Sequence, residues 1–307
     1  GNNLSDLTYI SWDAKDSWVS DSYYWLFFNI ALCNEFLRHC SDEEIARFSE
    51  AEQTEIRTFR SEARFMRSFS YWMVLDLYRQ GPKVDENTPV IGYIPEAYDG
   101  IGMFDFIESE LKELVAEGVS SALPATNEYG RASKPVAWAL LARLYLNSAV
   151  YRGNVDTKYY TECITACKQV ISNPAFYLEP EYAKLFNADN HKRTHEILFA
   201  MVCDATTSVT WGGGTYIICG SCGNSSTQDP AKYGLSNGWG MFRARGEMTA
   251  KFGDIATTKD SRAMFYTDGQ AQFFTGAIDN QAEGYFFEKF SNLTDEGVAA
   301  SNSAATG

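Results

Sequence analysis

The chain has 307 residues and a formal net charge of −14 at pH 7, with 40 Asp and Glu against 26 Lys and Arg. This acidic balance argues against a nucleic acid or an anionic membrane surface as a partner, because both attract basic surfaces. The seven scattered cysteines do not resemble a small disulfide-stapled scaffold, and no apolar run is long enough to span a membrane. The aromatic share of 15% is high, so aromatic rings are available for a binding surface as well as for the core.

The first two-thirds of the chain is predicted to be helical, because apolar residues recur there at helical spacing. The segment 20–40 is apolar almost throughout, so we expect a helix that is buried over much of its circumference. The predicted helices are 20–40, 50–82, 102–118, 133–151 and 155–172, with a shorter one at 181–187. Short turns between successive helices favour antiparallel helix pairs stacked in a tetratricopeptide-like manner, and therefore a mainly α fold.

The character of the sequence changes after about residue 190. The segments 195–202 and 214–219 have the composition of short strands. The stretch 204–246 is rich in Gly, Ser, Asn and Thr, with aromatic residues interspersed. Because long loops in compact proteins are usually functional, this region is predicted to carry a site.

The pair Cys219 and Cys222 forms a CxxC pattern, but its context does not fit redox or zinc chemistry. A redox CxxC lies at a helix N-terminus after a strand, and here a Gly-Asn-Ser-Ser-Thr run follows Cys222. A structural zinc site needs a second pair of ligands at comparable spacing, and none is evident in the sequence. We therefore predict no metal and no cofactor, and two cysteines that either pair with each other or have no chemical role.

Catalysis is not indicated by any motif. A glycosidase needs two carboxylates held across a cleft, and Glu247, Asp254 and Asp260 could be proposed for that role. A solvated loop or helix face explains each of them equally well. Neither a GxSxG motif nor a phosphate-binding loop is present in the sequence. The sequence therefore predicts a protein that is not an enzyme.

Two groups of aromatic residues beside polar groups are the best candidates for a site. A sugar ring offers an apolar C–H face and a rim of hydroxyls, so its complement is a flat ring flanked by carboxylate, amide and cationic groups. For any one of these residues core packing is the more frequent explanation, but we expect two or three of the set to line a site. The first group is Trp12, Asp13, Lys15, Asp16 and Trp18, and the second is Trp211, Tyr216, Tyr233, Asn237 and Trp239.

Several stretches resemble the SusD/RagB family, and they occur in the order in which that family has them. The two strongest are SEARFMRSFSYWMVLDLYRQGP (61–82) and YGRASKPVAWALLARLYLNSAVY (129–151). They are followed by HEILFAMV, GWGMFRARGEMTAKFGD, DSRAMF and GYFFEKFSN. The resemblance covers almost the whole chain.

The resemblance implies a single SusD-like domain over 1–307, incomplete at one or both ends. Its helical-pair region would be 1–190 and its loop-rich, ligand-facing region 191–307. Such proteins are lipid-anchored outside the outer membrane of Bacteroidetes-type bacteria, although no lipid-attachment cysteine is identifiable here. They bind glycans, or peptides in some branches, and act with a TonB-dependent (SusC-like) transporter.

In glycan-binding members the site is a shallow aromatic arc, which here would fall at Trp12–Trp18 and Trp211–Trp239. The predicted function is therefore capture of a glycan at the cell surface and its delivery to a partner transporter. Two alternatives stay open: a peptide-binding or transporter-docking protein without sugar affinity, and a glycan-cleaving enzyme.

Overall fold

A computed structural model describes residue 6 and residues 9–203, 213–276 and 279–300. The chain divides into two compact units, Gly1–Pro174 and Ala175–Gly307, which are described separately. Trp211, one of the predicted site residues, lies outside the described residues.

The first unit is built from helices, as the periodicity predicts. The helices are α1 (Ser17–Arg38), α2 (Asp42–Ile45), α3 (Glu50–Tyr78), α4 (Gly100–Val115), α5 (Lys134–Leu146), α6 (Ser148–Arg152) and α7 (Thr157–Ile171). The antiparallel pair β1 (Gly81–Pro82) and β2 (Ala97–Tyr98) brings the two ends of the α3–α4 connection together. The prediction of a mainly α fold is confirmed.

Local sequence signals explain where these helices begin and end. Ser49 and Glu52 form a capping box at the start of α3, which satisfies backbone donors that would otherwise lack partners. The helix ends at Arg79, which adopts a left-handed conformation at φ 68° just before Gly81 and Pro82. Pro135 lies in the first turn of α5, where its missing N–H has no cost.

The core of the first unit lies where α1 packs on α3, α3 on α4, and α5 on α7. Large side chains fill these contacts, among them Phe65, Tyr71, Phe104, Leu111 and Leu141, each at most 1% exposed. Close-packed aromatic and aliphatic side chains of this kind supply most of the favourable free energy of folding.

A buried ionic network crosses the same core. The Arg67 side chain is 2% exposed and donates hydrogen bonds to Asn34 Oδ1 at 2.8 Å and Glu110 Oε2 at 2.9 Å, with Glu86 as a further partner. Arg64 donates to Glu110 Oε1 at 2.8 Å. Burial by itself would raise the pKa of Glu110, but the two guanidinium groups bring that pKa below its ordinary value. The network therefore depends on both charges being present.

The second unit contains short elements joined by turns. The helices are α8 (Gly213–Ser221) and α9 (Gly246–Thr249), with 3-10 turns at Tyr182–Phe186, Asn190–Lys192, Pro230–Tyr233 and Ala250–Phe252. The strands β3 (Phe265–Tyr266) and β4 (Phe286–Phe287) pair antiparallel. The predicted helix at 181–187 is therefore present as a 3-10 turn.

Both strands that were predicted in this part of the chain are wrong. In 195–202 the backbone makes turn hydrogen bonds, with the Glu196 and Ile197 amides both donating to Arg193 O, so its amides are not used in a strand ladder. The segment 214–219 lies within α8, whose last carbonyls accept hydrogen bonds from residues farther along the chain. Apolar runs of this length do not distinguish a strand from a buried helix.

None of the described helices is both long enough and apolar enough to cross a bilayer.

Candidate functional site

Two indole rings are exposed at the start of the first unit. Trp12 is 47% exposed and lies in the segment before α1, and Trp18, in the first turn of α1, is 48% exposed. Leaving two indoles half in water forgoes a large part of the free energy their burial would give. Core packing therefore does not account for either ring.

The neighbouring carboxylates hold this segment in shape. Asp13 Oδ1 accepts from the Lys15 backbone N–H at 2.7 Å, which closes a tight turn. Asp16 is the N-cap of α1 and its Oδ1 accepts from the Trp18 N–H at 2.8 Å. Each carboxylate has a second oxygen that is not used in these bonds, and Lys15 is exposed and makes no ion pair with any described residue. The first predicted group therefore lies together in one segment.

The helix α1 presents an exposed apolar face, contrary to the expectation that it would be buried over much of its circumference. It buries only Ile30, Cys33, Asn34 and Leu37. We call the opposite surface the α1 apolar face; its members are Trp18, Trp25, Phe28, Leu32 and Phe36, 40–69% exposed. The recurrence of Trp18, Trp25 and Leu32 every seven residues was a signal that could have identified this second face.

In the second unit, Tyr216 and Trp239 come together although 23 residues separate them in sequence. Their ring centroids lie 6.1 Å apart at an interplanar angle of 65°, and Tyr216 also meets Phe242 edge-to-face at 5.2 Å. Such edge-to-face contacts fix ring orientation. Both Tyr216 and Trp239 are half-buried, so each keeps part of its surface available to a ligand.

Backbone hydrogen bonds hold Trp239 in place at the C-terminal end of α8. The Trp239 N–H donates to Cys219 O and the Gly240 N–H to Cys222 O, each at 2.8 Å, while the amides of Met241 and Phe242 both donate to Gly220 O. These bonds satisfy helix carbonyls that have no partner within the helix.

Two glycines permit this close approach of the chain to the end of α8. A Cβ on Gly238 would lie 2.0 Å from Gly223 O, and one on Gly220 would lie 2.6 Å from the Phe242 ring. No other residue fits at either position without a shift of the backbone or of the ring.

The two cysteines of the CxxC pattern are buried beneath this arrangement. Cys219 and Cys222 form a small core with Leu235, against which Ile218, Tyr233 and Trp239 pack. Both are free thiols, and burial raises the pKa of Cys222 to about 12. Thiolate chemistry requires a lowered pKa, so these side chains act as packing groups.

The other two predicted residues of the second unit differ in their surroundings. Tyr233 is half-buried, and its hydroxyl donates to Glu288 Oε1 at 2.6 Å. Asn237 is exposed on the turn that precedes Trp239. Tyr216, Tyr233 and Trp239 therefore share one cluster, with Asn237 beside it in sequence.

The carboxylates considered for catalysis are occupied with local structure. Glu247 is exposed and lies 3.5 Å from the Arg245 guanidinium. Asp254 accepts from the Ala256 N–H at 3.0 Å, and hydrogen bonds from Arg262 lower the pKa of Asp260 to about 2. A general acid needs a raised pKa, so Asp260 is unsuited to that role. Within the described residues no three His, Cys, Asp or Glu side chains cluster as metal ligands would.

Comparison with known proteins places the chain in a family, although no family model matches it. It is 30% identical over 253 residues to the starch-binding protein SusD of Bacteroides thetaiotaomicron, an alignment that covers 81% of this chain and 42% of SusD. The chain therefore spans less than half the length of this curated relative.

Solved structures agree on the fold. A SusD superfamily protein from Parabacteroides distasonis matches with a TM-score of 0.73 at 19% identity, covering 99% of this chain and 62% of the other. A protein crystallised with a xylogluco-oligosaccharide matches with a TM-score of 0.63 at 21% identity, covering 84% of this chain and 49% of the other. The sequence match to SusD and the helical architecture shared with these structures together identify this chain as a member of the SusD-like family.

Proposed function

We propose that this chain captures a glycan at a bacterial cell surface and delivers it to a TonB-dependent outer-membrane transporter. The protein would be held at the outer membrane by a lipid anchor, and it would bind its ligand without cleaving it. The observation that carries the proposal is the pair of half-exposed indoles, Trp12 and Trp18, on a SusD-like fold.

The chemistry of both aromatic groups supports a sugar ligand. Flat indole faces complement the C–H face of a pyranose, and the free oxygens of Asp13 and Asp16, together with Lys15, can bond to its hydroxyls. The edge-to-face pair of Tyr216 and Trp239 offers a second platform with Asn237 beside it in sequence. We propose that these residues, with Trp211, contribute to glycan binding.

The test is calorimetric titration of the purified chain with soluble oligosaccharides, followed by analysis of the recovered ligand. We expect saturable heat for one glycan class and no cleavage. Trp12→Ala and Trp18→Ala should each weaken binding roughly tenfold or more, the loss typical of a central aromatic contact. Tyr160→Ala on α7, which is also partly exposed, is the control and should bind normally.

Normal binding by both tryptophan variants would place the site elsewhere. Heat from peptides alone would favour the peptide-binding alternative, and new reducing ends in the recovered glycan would favour an enzyme. Trp239→Ala is a poorer probe, because Trp239 packs against the Cys219–Cys222 core and its loss would disturb the fold.

A second candidate, docking to the transporter without sugar affinity, is favoured by the α1 apolar face. Exposed apolar surfaces of this kind commonly bind other proteins. The double variant Trp25→Glu with Phe28→Glu should reduce co-purification with a co-expressed TonB-dependent transporter, whereas Ile171→Glu on α7 should not. If co-purification is lost and the unmodified chain binds no glycan, docking is the better description.

A further inference from the structure

The second unit contains a polar cleft of about 230 Å³ that differs from the aromatic clusters. Side chains that carry hydrogen-bonding groups line it, among them Ser225, Gln228, Lys232, Tyr233, Tyr266 and Glu288. Its volume is below the roughly 300–1,000 Å³ of pockets that enclose drug-sized molecules. A ligand of this cleft is therefore small and polar.

The floor of the cleft is formed by a tight turn held by its own hydrogen bonds. The Gln228 N–H donates to Asn224 O at 2.9 Å, and the Ser226 N–H donates to Asn224 Oδ1 at 3.0 Å. Gln228 Oε1 accepts from the Gly223 N–H at 2.8 Å, which fixes the amide plane. The groups that line the cleft at this end are thus held in position before a ligand arrives.

A buried donor at the cleft lacks an ordinary partner. Gln228 is only 3% exposed, and its Nε2 lies against the Tyr233 hydroxyl without making a hydrogen bond of normal geometry to a described residue. A buried amide without full hydrogen bonding is costly and uncommon. A ligand atom that accepts from Nε2 would remove that cost.

Further donors and acceptors line the same cleft. Among the described residues, the Tyr266 hydroxyl and the Lys232 ammonium form no hydrogen bond or ion pair. Burial, reinforced by the charges of Asp268 and Glu288, raises the pKa of Tyr266, so its hydroxyl stays protonated and able to donate. Glu288 receives the Tyr233 hydroxyl on Oε1 and keeps Oε2 as an acceptor.

We infer that this cleft holds a single neutral pyranose unit, as a subsite distinct from the aromatic platforms. Each sugar hydroxyl both donates and accepts, which matches a cleft where amide, phenol and ammonium donors alternate with carboxylate acceptors. One lysine faces the two carboxylates of Asp229 and Glu288, so an anionic sugar would be repelled and the lysine disfavours a cationic one. The inference rests on the proposed glycan-binding function, of which it names a monosaccharide subsite.

The test uses free monosaccharides, which are too small to span an aromatic platform and this cleft together. The full chain is titrated with D-glucose, D-galactose, D-mannose and D-xylose, with D-glucuronate and D-glucosamine as charged probes, and backbone amide shifts are followed by NMR. We expect at least one neutral sugar to shift the amides of Asn224–Asp229 saturably, with weaker shifts for both charged sugars.

Two conservative variants have matched controls. Tyr266→Phe and Lys232→Met should each weaken monosaccharide binding about two- to tenfold, the range expected for loss of one hydrogen bond. Tyr160→Phe on α7 and Lys251→Met, an exposed lysine without an ion pair among the described residues, should leave the affinity unchanged. Thermal unfolding of each variant shows whether a lost affinity comes from a lost fold.

The outcomes separate this inference from the proposed function. Oligosaccharide binding that depends on Trp12 and Trp18, with no monosaccharide shift at Asn224–Asp229, would overturn the cleft subsite alone. Monosaccharide shifts that survive Trp12→Ala and Trp18→Ala, without oligosaccharide affinity, would support the cleft and overturn the aromatic platform. Tighter binding of glucuronate or glucosamine than of every neutral sugar would overturn the assignment of a neutral ligand.

Discussion

The two units of the chain are stabilised in different ways. The first, Gly1–Pro174, relies on long helices whose contacts bury large side chains and one ionic network. The second, Ala175–Gly307, has short elements held by side chain–backbone hydrogen bonds and by glycines where backbones nearly touch. The first should therefore be most sensitive to loss of a buried side chain, and the second to addition of a single methyl group.

The largest expected effect is in the first unit, at Arg67. Arg67→Met removes one of the cations that hold Glu110 in its buried position, and breaking a buried pair in this way costs about 3–5 kcal/mol. Denaturant unfolding with hydrogen exchange of α3 and α4 peptides measures the change. Arg47→Met is the control, because its pair with Glu44 is exposed and should contribute under about 1 kcal/mol. Equal effects of the two variants would mean that the network is not a stabilising feature of this unit.

The second effect tests the close approach of backbones in the second unit. Gly238→Ala would place a Cβ 2.0 Å from Gly223 O, and we expect a loss of about 2–3 kcal/mol, near the upper end for overpacking. Hydrogen exchange should rise at Trp239–Phe242 and leave α3 unchanged. Gly214→Ala, where no atom lies within 4 Å of the added Cβ, should be neutral or slightly stabilising. An undisturbed Gly238→Ala protein would contradict the described path of this segment.

A smaller effect is expected from the cysteine core. Cys222→Ser places a hydroxyl in an apolar cluster and should cost about 1 kcal/mol, whereas Cys203→Ser at an exposed position should cost nothing measurable. Glycan affinity should not change in either variant. Thiol labelling at pH 8 gives a second measure, since Cys203 should react in the native protein and Cys222 only after unfolding. Rapid native labelling of Cys222 would show that the cluster opens readily.

The smallest effect concerns Asp260. Its pKa is lowered to about 2 by Arg262, so any stability it contributes is fully present above its ordinary pKa of 3.8 and is lost only as the pH falls toward 2. Because the pair is exposed, Asp260→Asn should leave stability at pH 7 unchanged within error. The carboxyl carbon of Asp260, followed by NMR, should titrate near pH 2. An ordinary pKa would show that the Arg262 pairing does not persist in solution.

The sequence predicted the first unit well because long amphipathic periods survive variation at single positions. The five main helices were found, with errors of a few residues at their ends and with 133–151 divided at Asn147 into α5 and α6. The exposed face of α1 was missed because apolar content alone does not say which faces have a partner. That property depends on the rest of the structure.

The second unit was predicted less well, since its segments depend on contacts made far along the chain. The stretch 214–219 is helical where 239–242 can bond to its carbonyls, and no local pattern indicates that pairing. The composition of its aromatic residues was informative, because Tyr216, Tyr233 and Trp239 do share a cluster. That Trp12 and Trp18 belong to the same ligand site as this cluster stays a prediction.

The hydrogen bonds between 239–242 and the end of α8 make the position of the Trp239 ring and the formation of α8 a single event. If α8 frays, its last carbonyls move and the indole loses its place. A ligand that contacts Trp239 therefore favours the folded helix by mass action, gaining about 1.4 kcal/mol for each tenfold rise in its concentration well above Kd. Slowed amide exchange in Gly213–Ser221 would thus report ligand occupancy from a segment that the ligand itself does not touch.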